Sequence, residues 1–211
     1  KGYQSNFIYI ILTGSVEYIH PDEDIHNKLT VGSFIGVEYL FYKGSTLGTW
    51  RAISHVTVQK IPLNFLKVFL EKNDLFHSTK QLYDNIGFLK KTNLLGEDCS
   101  YVILNEIVKV MKRKEIKKGD TVSFKKKHSL FLINKGSFQI NNTEDKTLEA
   151  VKTNNFFGEH TFFSKDINEF KITALEDGML YCIADYPLLK VPIIQWKMLE
   201  MYAKRKKNYA F

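Results

Sequence analysis

Phe7-Ile8-Tyr9-Ile10-Ile11-Leu12-Thr13-Gly14-Ser15 and Leu130-Phe131-Leu132-Ile133-Asn134-Lys135-Gly136-Ser137 are two copies of one pattern. Each is an apolar, β-rich run broken by Gly-Ser. Shifting the chain by 122 residues lays Ile8-Tyr9-Ile10-Ile11 on Leu130-Phe131-Leu132-Ile133, and Gly14-Ser15 on Gly136-Ser137. The same shift carries Phe34-Ile35-Gly36 to Phe156-Phe157-Gly158 and Leu40-Phe41 to Phe162-Phe163. Ala52 falls on Ala174, Val58 on Leu180 and Ile61 on Ile183. One match is within reach of chance. A constant offset from Ile8 to Ile61 without a gap is the signature of an internal repeat.

Each copy reads as short strands followed by helix. Phe7–Thr13 and Val16–Ile19 form a hairpin-like pair, repeated at 129–134 and 137–141. Val31-Gly32-Ser33 and Lys152–Asn155 are turn-rich. Further strands are expected at 49–54, 56–61, 170–174 and 179–183. In Tyr101–Lys112 the apolar residues Ile103, Leu104, Ile107, Val108 and Met111 mark one face of an amphipathic helix. Helices are also expected at 63–71, 75–90 and 188–207, and Lys117-Lys118-Gly119-Asp120 turns the chain into the second set of strands. By the offset, the first copy lacks about its first 35 residues, its leading helix and first strand.

Composition narrows the class. With 44% hydrophobic and 25% charged residues the chain has an ordinary globular balance, rich in the Phe and Tyr that fill cores. No apolar run approaches the ~18 residues of a membrane span. The chain opens Lys1-Gly2-Tyr3-Gln4, without Met and without the apolar stretch of a secretory leader, so it reads as a cytoplasmic fragment. Cys99 and Cys182 show neither metal-ligand nor disulfide spacing. The net charge of +7 rests almost wholly on scattered lysines, with arginine only at 51, 113 and 205, which does not suggest nucleic-acid binding. The one dense run, Lys204-Arg205-Lys206-Lys207, reads as a solvated helix end whose cations suit the dipole. No Ser-His-Asp order, P-loop or kinase signature is present, so no enzyme is expected. Gly158-Glu159-His160 is a lone His beside a Glu and reads as structural or solvent-facing.

The order strand, Lys-Gly-Asp turn, apolar strand, Gly-Ser turn, strand, Phe-Gly cassette, two strands, helix resembles the cyclic-nucleotide-binding domain. In tandem it looks like the regulatory region of cyclic-nucleotide-dependent protein kinases. The resemblance implies a mainly β fold with helices: two antiparallel jelly-roll barrels, joined by helices between about Pro62 and Lys112. The boundaries drawn are 1–87 for the first domain and 88–211 for the second.

It also implies where a cyclic nucleotide would sit. The family's cassette offers a glycine for close backbone approach, a Glu for the ribose 2′-hydroxyl and an Arg for the phosphate. In the second copy Gly158 and Glu159 match, but the Arg position is the neutral Asn168. Lys165 and Lys171 lie nearby and match nothing. In the first copy Gly36 matches, Val37 stands at the Glu position with Glu38 displaced by one, and Thr46 stands at the Arg position. Arg51 lies five residues later on the next strand. Losing a charge-assisted phosphate contact costs ~1.5–3 kcal/mol, about one to two orders of magnitude in affinity. The first site is therefore expected to be empty or filled by its own side chains, and binding of cAMP or cGMP at the second, through Gly158, Glu159 and Asn168, to be weak.

Trp196 and Tyr202 on the last helix have two readings: core packing, or an aromatic lid over the purine. No cofactor or metal is called for. The expected partners are a cyclic nucleotide and a protein effector, domain or subunit. The alternative is a docking scaffold that has lost its ligand. A transcription factor of the catabolite-activator type is disfavoured, because only about 25 residues follow the second barrel and they read as one helix.

Overall fold

The computed structural model describes residues 5–19, 26–42, 48–96, 99–124, 127–184 and 191–207. The chain divides into two compact units, Lys1–Ile86 with Cys99–Leu104 and Gly87–Asp98 with Asn105–Phe211. The first contains β1 (Phe7–Thr13), β2 (Val16–Ile19), β3 (His26–Leu29), β4 (Phe34–Ile35), α1 (Glu38–Phe41), β5 (Thr49–Ala52), β6 (Thr57–Pro62) and α2 (Leu63–Lys72). Helices α3 (Phe76–Lys90) and α4 (Tyr101–Val110) follow. The second unit adds β7 (Lys112–Ile116), β8 (Thr121–Val122), β9 (Ser129–Lys135), β10 (Ser137–Asn141), β11 (Thr147–Lys152), β12 (Phe156–Phe157), α5 (His160–Phe163), β13 (Lys171–Ala174), β14 (Gly178–Ala184) and α6 (Pro192–Lys207).

The repeat is visible element by element. A shift of 122 carries β1, β4, α1 and β5 onto β9, β12, α5 and β13 end for end, and β2, β3 and β6 onto β10, β11 and β14 to within one residue at each end. Strand register repeats as well. Val16 pairs with Ala52 as Phe138 pairs with Ala174, and Tyr9 with Ile35 as Phe131 with Phe157. Even the irregularity repeats: the β1–β6 ladder slips between Ile11 and Thr13, and β9–β14 slips at the matching place, between Leu180 and Met179. A bulge bends a strand and sharpens its twist, so a shared bulge helps give both barrels one curvature.

In the first unit the sheets run β4-β1-β6 and β3-β2-β5; in the second they run β12-β9-β14-β7 and β11-β10-β13-β8. All pairings are antiparallel, the arrangement expected of jelly-roll barrels. The extra strands β7 and β8 have positions that, shifted back by 122, fall ahead of residue 1.

Two sequence expectations need correction. The helix read over Tyr101–Lys112 stops at Val110, and Lys112 opens β7, opposite Cys182 on β14. The run Lys-Arg-Lys-Glu-Ile exposes four charged residues at a sheet edge, a usual protection against stray pairing. Strands β3 and β11 carry little apolar alternation, and the sequence reading passed over them. In the described residues the last helix runs from Pro192, with Val191 outside it; the expected start at 188 lies outside the described residues.

The cores differ in size. Among the described residues the second barrel has a large cluster that includes Phe131, Ile133, Phe138, Phe157 and Leu180. Among the described residues the first has smaller ones, around Ile8, Leu40 and Leu70, and around Ile11, Val16 and Leu29.

Candidate functional site

In the second cassette Gly158 has φ +96°, a region open to glycine and strained for other residues. A Cβ there would sit 2.4 Å from Ser129 O, so the cassette closes directly on β9. Thr161 secures the same seam, its Oγ1 accepting from Ser129 N–H at 3.0 Å and lying 2.8 Å from Gly158 O. Substituting Gly158→Ala is expected to cost about 2 kcal/mol or more, measured by urea unfolding. Gly36→Ala, where φ is +82° and Phe7 O would be 3.1 Å away, should cost less.

Glu159 precedes α5 but does not cap it. Its side chain is fully buried, and its Oε2 accepts from Arg205 Nη1 at 2.6 Å. Arg205 is itself 2% exposed. Its Nε donates to Glu149 Oε2 at 2.9 Å and its Nη2 to Phe156 O at 3.0 Å, and the guanidinium carbon lies 5.8 Å from the Phe156 ring centroid. Burial works against the Arg205 charge, but the carboxylates of Glu159 and Glu149 outweigh it and hold the guanidinium above its ordinary pKa. The other carboxylate oxygen of Glu159, Oε1, is buried with no hydrogen-bond partner among the described residues.

This corrects the reading of the basic run. Lys204, Lys206 and Lys207 are exposed, as a solvated helix end requires, but Arg205 is not. A signal was present. Ile194, Met198, Tyr202 and Arg205 fall at helical spacing, so Arg205 prolongs the buried stripe of α6.

The two lid candidates part company. Tyr202 is buried, stacks on Phe163 at 5.7 Å and donates its hydroxyl to Glu169 Oε2 at 3.1 Å. Trp196 is 66% exposed and lines an apolar groove of about 300 Å³ with Phe162, Phe163, Pro192, Met198 and Leu199. Asn168 is exposed, its backbone N–H donating to Asp166 Oδ1 at 2.8 Å, and Lys171 is held by Asp145 at 2.8 Å. His160 is buried between the edges of Phe124 and Phe170, its Nε2 3.1 Å from Ile167 O. Burial pushes its pKa down, so the ring is a neutral packing element. Among the described residues no cluster of three or more His, Cys, Asp or Glu side chains could hold a metal ion.

The first cassette is built from apolar groups. Val37 packs against the cluster of Ile8, Leu40 and Leu70. Burial pushes the Glu38 carboxyl up, partly offset by the backbone N–H groups of Glu38 and Gly36. Arg51 faces away to Glu17, its cross-strand partner, at 2.8 Å. Thr46 lies outside the described residues.

No family model and no curated protein matches the chain. Solved structures do. Cyclic-AMP-bound PfPKA-R aligns with TM-score 0.57 at 15% identity, over 98% of this chain and 74% of the other. The regulatory domain of Toxoplasma gondii PKA with cAMP gives 0.55 at 12%, over 97% and 80%. The regulatory subunit of a cAMP-independent protein kinase A from Trypanosoma cruzi, bound to guanosine, gives 0.51 at 15%, over 97% and 76%. The fold is thus that of tandem cyclic-nucleotide-binding domains, as in kinase regulatory subunits.

Proposed function

We propose that this chain is a regulatory, ligand-sensing module of the cyclic-nucleotide-binding type, not an enzyme, in which binding of cAMP and cGMP is weak or lost. Its output is the control or docking of a protein effector, in a cytoplasmic setting. The observation that carries this reading is the state of Glu159. The residue matched to the ribose acceptor is buried and already committed to Arg205 at 2.6 Å. The position matched to the phosphate arginine is a neutral, exposed Asn168 on a loop beside Asp166 and Glu169. The fold's occurrence in both cAMP-bound and cAMP-independent kinase regulatory subunits is consistent with a module of this kind.

Calorimetric titration with cAMP, cGMP and guanosine tests it. Wild type is expected to bind a cyclic nucleotide no better than millimolar. Asn168→Arg restores a charge-assisted phosphate contact and should tighten binding by about 10- to 100-fold. Glu159→Ala should abolish what binding exists. Micromolar binding by the wild type would refute the reading.

A second reading, a docking scaffold without a ligand, has its own support. Ile193, Trp196 and Leu199 leave an apolar face of α6 exposed at 43%, 66% and 42%. Contiguous apolar surface with an exposed Trp is the composition of a protein-contact site. Absence of heat from both wild type and Asn168→Arg at millimolar nucleotide would put this reading first.

A further inference from the structure

A site built around a cyclic phosphate gathers positive groups. The second cassette gathers negative ones. Glu149 on β11 and Glu159 and Glu169 in the cassette are contributed by the barrel, and the cations that meet them, Arg205 and Lys206, are contributed by α6. The acceptors around Arg205 form a receptor for one particular cation. Two carboxylates and the Phe156 carbonyl take three of its N–H groups, and the Phe156 ring lies beside the guanidinium. Such a forked arrangement matches a planar guanidinium and wastes a lysine ammonium. Glu159 Oε1, buried and without a hydrogen-bond partner among the described residues, is one acceptor more than Arg205 uses.

The occupant is borne on a helix end. Beyond Tyr202 the described residues of α6 are exposed apart from Arg205. Last turns open locally at lower cost than helix centres.

We propose that this pocket is a guanidinium-receptive site in which Arg205 is the resident ligand in cis. An arginine side chain presented in trans by a partner protein exchanges with Arg205 and frees the last turn of α6. The inference rests on reading the pocket as ligand-receptive, and it replaces an anionic ligand with a cationic one.

Chemical rescue tests it. With Arg205→Ala, millimolar N-ethylguanidinium should raise the thermal midpoint by several degrees, whereas tetramethylammonium, which has no N–H donors, should not. Wild type, with its site filled, and the double variant Arg205→Ala/Glu159→Gln, with its receptor damaged, should show no such rise. A response of equal size in the double variant, or none in Arg205→Ala, would overturn the proposal.

Should Arg205→Ala fail to fold, wild type answers through hydrogen exchange. A Gly-Arg-Gly peptide at millimolar concentration should speed exchange of the amides at 202–207, and Gly-Lys-Gly should not. Unchanged protection with the arginine peptide excludes exchange in trans. Nucleotide calorimetry reports separately. Rescue without nucleotide binding keeps the inference and is consistent with weak or lost nucleotide binding, while nucleotide binding without rescue retires the inference alone.

Discussion

Replacing Arg205 with Met should destabilise the second barrel by about 3–5 kcal/mol in urea unfolding, because it strands a buried carboxylate. Glu159 has no exposure of its own, and its carboxylate's hydrogen-bonding partner among the described residues is Arg205. Met fills much of the same volume, so the loss would reflect charge more than a cavity. Glu149 is 31% exposed at its side chain and can turn back to water when Arg205 is gone. The double variant Glu159→Leu/Arg205→Met should therefore recover most of the loss, since well-packed apolar groups often replace a buried pair without net cost. A double-mutant cycle gives the coupling. A loss below about 1 kcal/mol for Arg205→Met would place the pair among ordinary surface bridges, and the buried site would be misdescribed.

Phe157→Ala should cost a similar amount, about 3–5 kcal/mol. Phe157 is fully buried, stacked on Phe131 at 5.4 Å and 21°, with Phe138 at 5.5 Å and the edge of Phe124 at 6.4 Å. Its counterpart in the first copy, Ile35, is only partly buried against the smaller cluster of Ile11, Val16 and Leu29. Ile35→Ala should cost about 2 kcal/mol, the lower end for such a truncation. The two tryptophans make the comparison direct: Trp50 reports on the first unit and Trp196 on the second. Phe157→Ala should move the transition seen at Trp196, and an equal penalty for Ile35→Ala would contradict the difference in core size.

The fold was legible because the features that specify it are local and repeated. Gly14 and Gly136, at φ +79° and +100°, stand where turns demand positive φ, and a turn residue is a matter of its own backbone. Alternating and continuous apolar runs at a 122-residue offset mark strands that must pair alike, because a slip of one residue would turn every side chain to the wrong face. The cassette glycines Gly36 and Gly158 were placed by the same logic. Strand β11 was not, since Thr147-Leu148-Glu149-Ala150-Val151-Lys152 lacks a regular alternation, and its place is set by pairing with β10 and by Val151 in the core.

The sequence by itself determined the tandem barrels, the turns, and the mismatched Val37 and Asn168. Tertiary structure alone decided what Glu159 does. Its partner is 46 residues away, and Glu149 is 56 residues from the same guanidinium. No local period connects residues so far apart. Of four cations in a row, only the one whose angle on α6 continues the line of Ile194, Met198 and Tyr202 is turned inward. That angle is countable in the sequence. The barrel surface it meets, with its two carboxylates and open carbonyl, exists only once β11, the cassette and α6 are packed together.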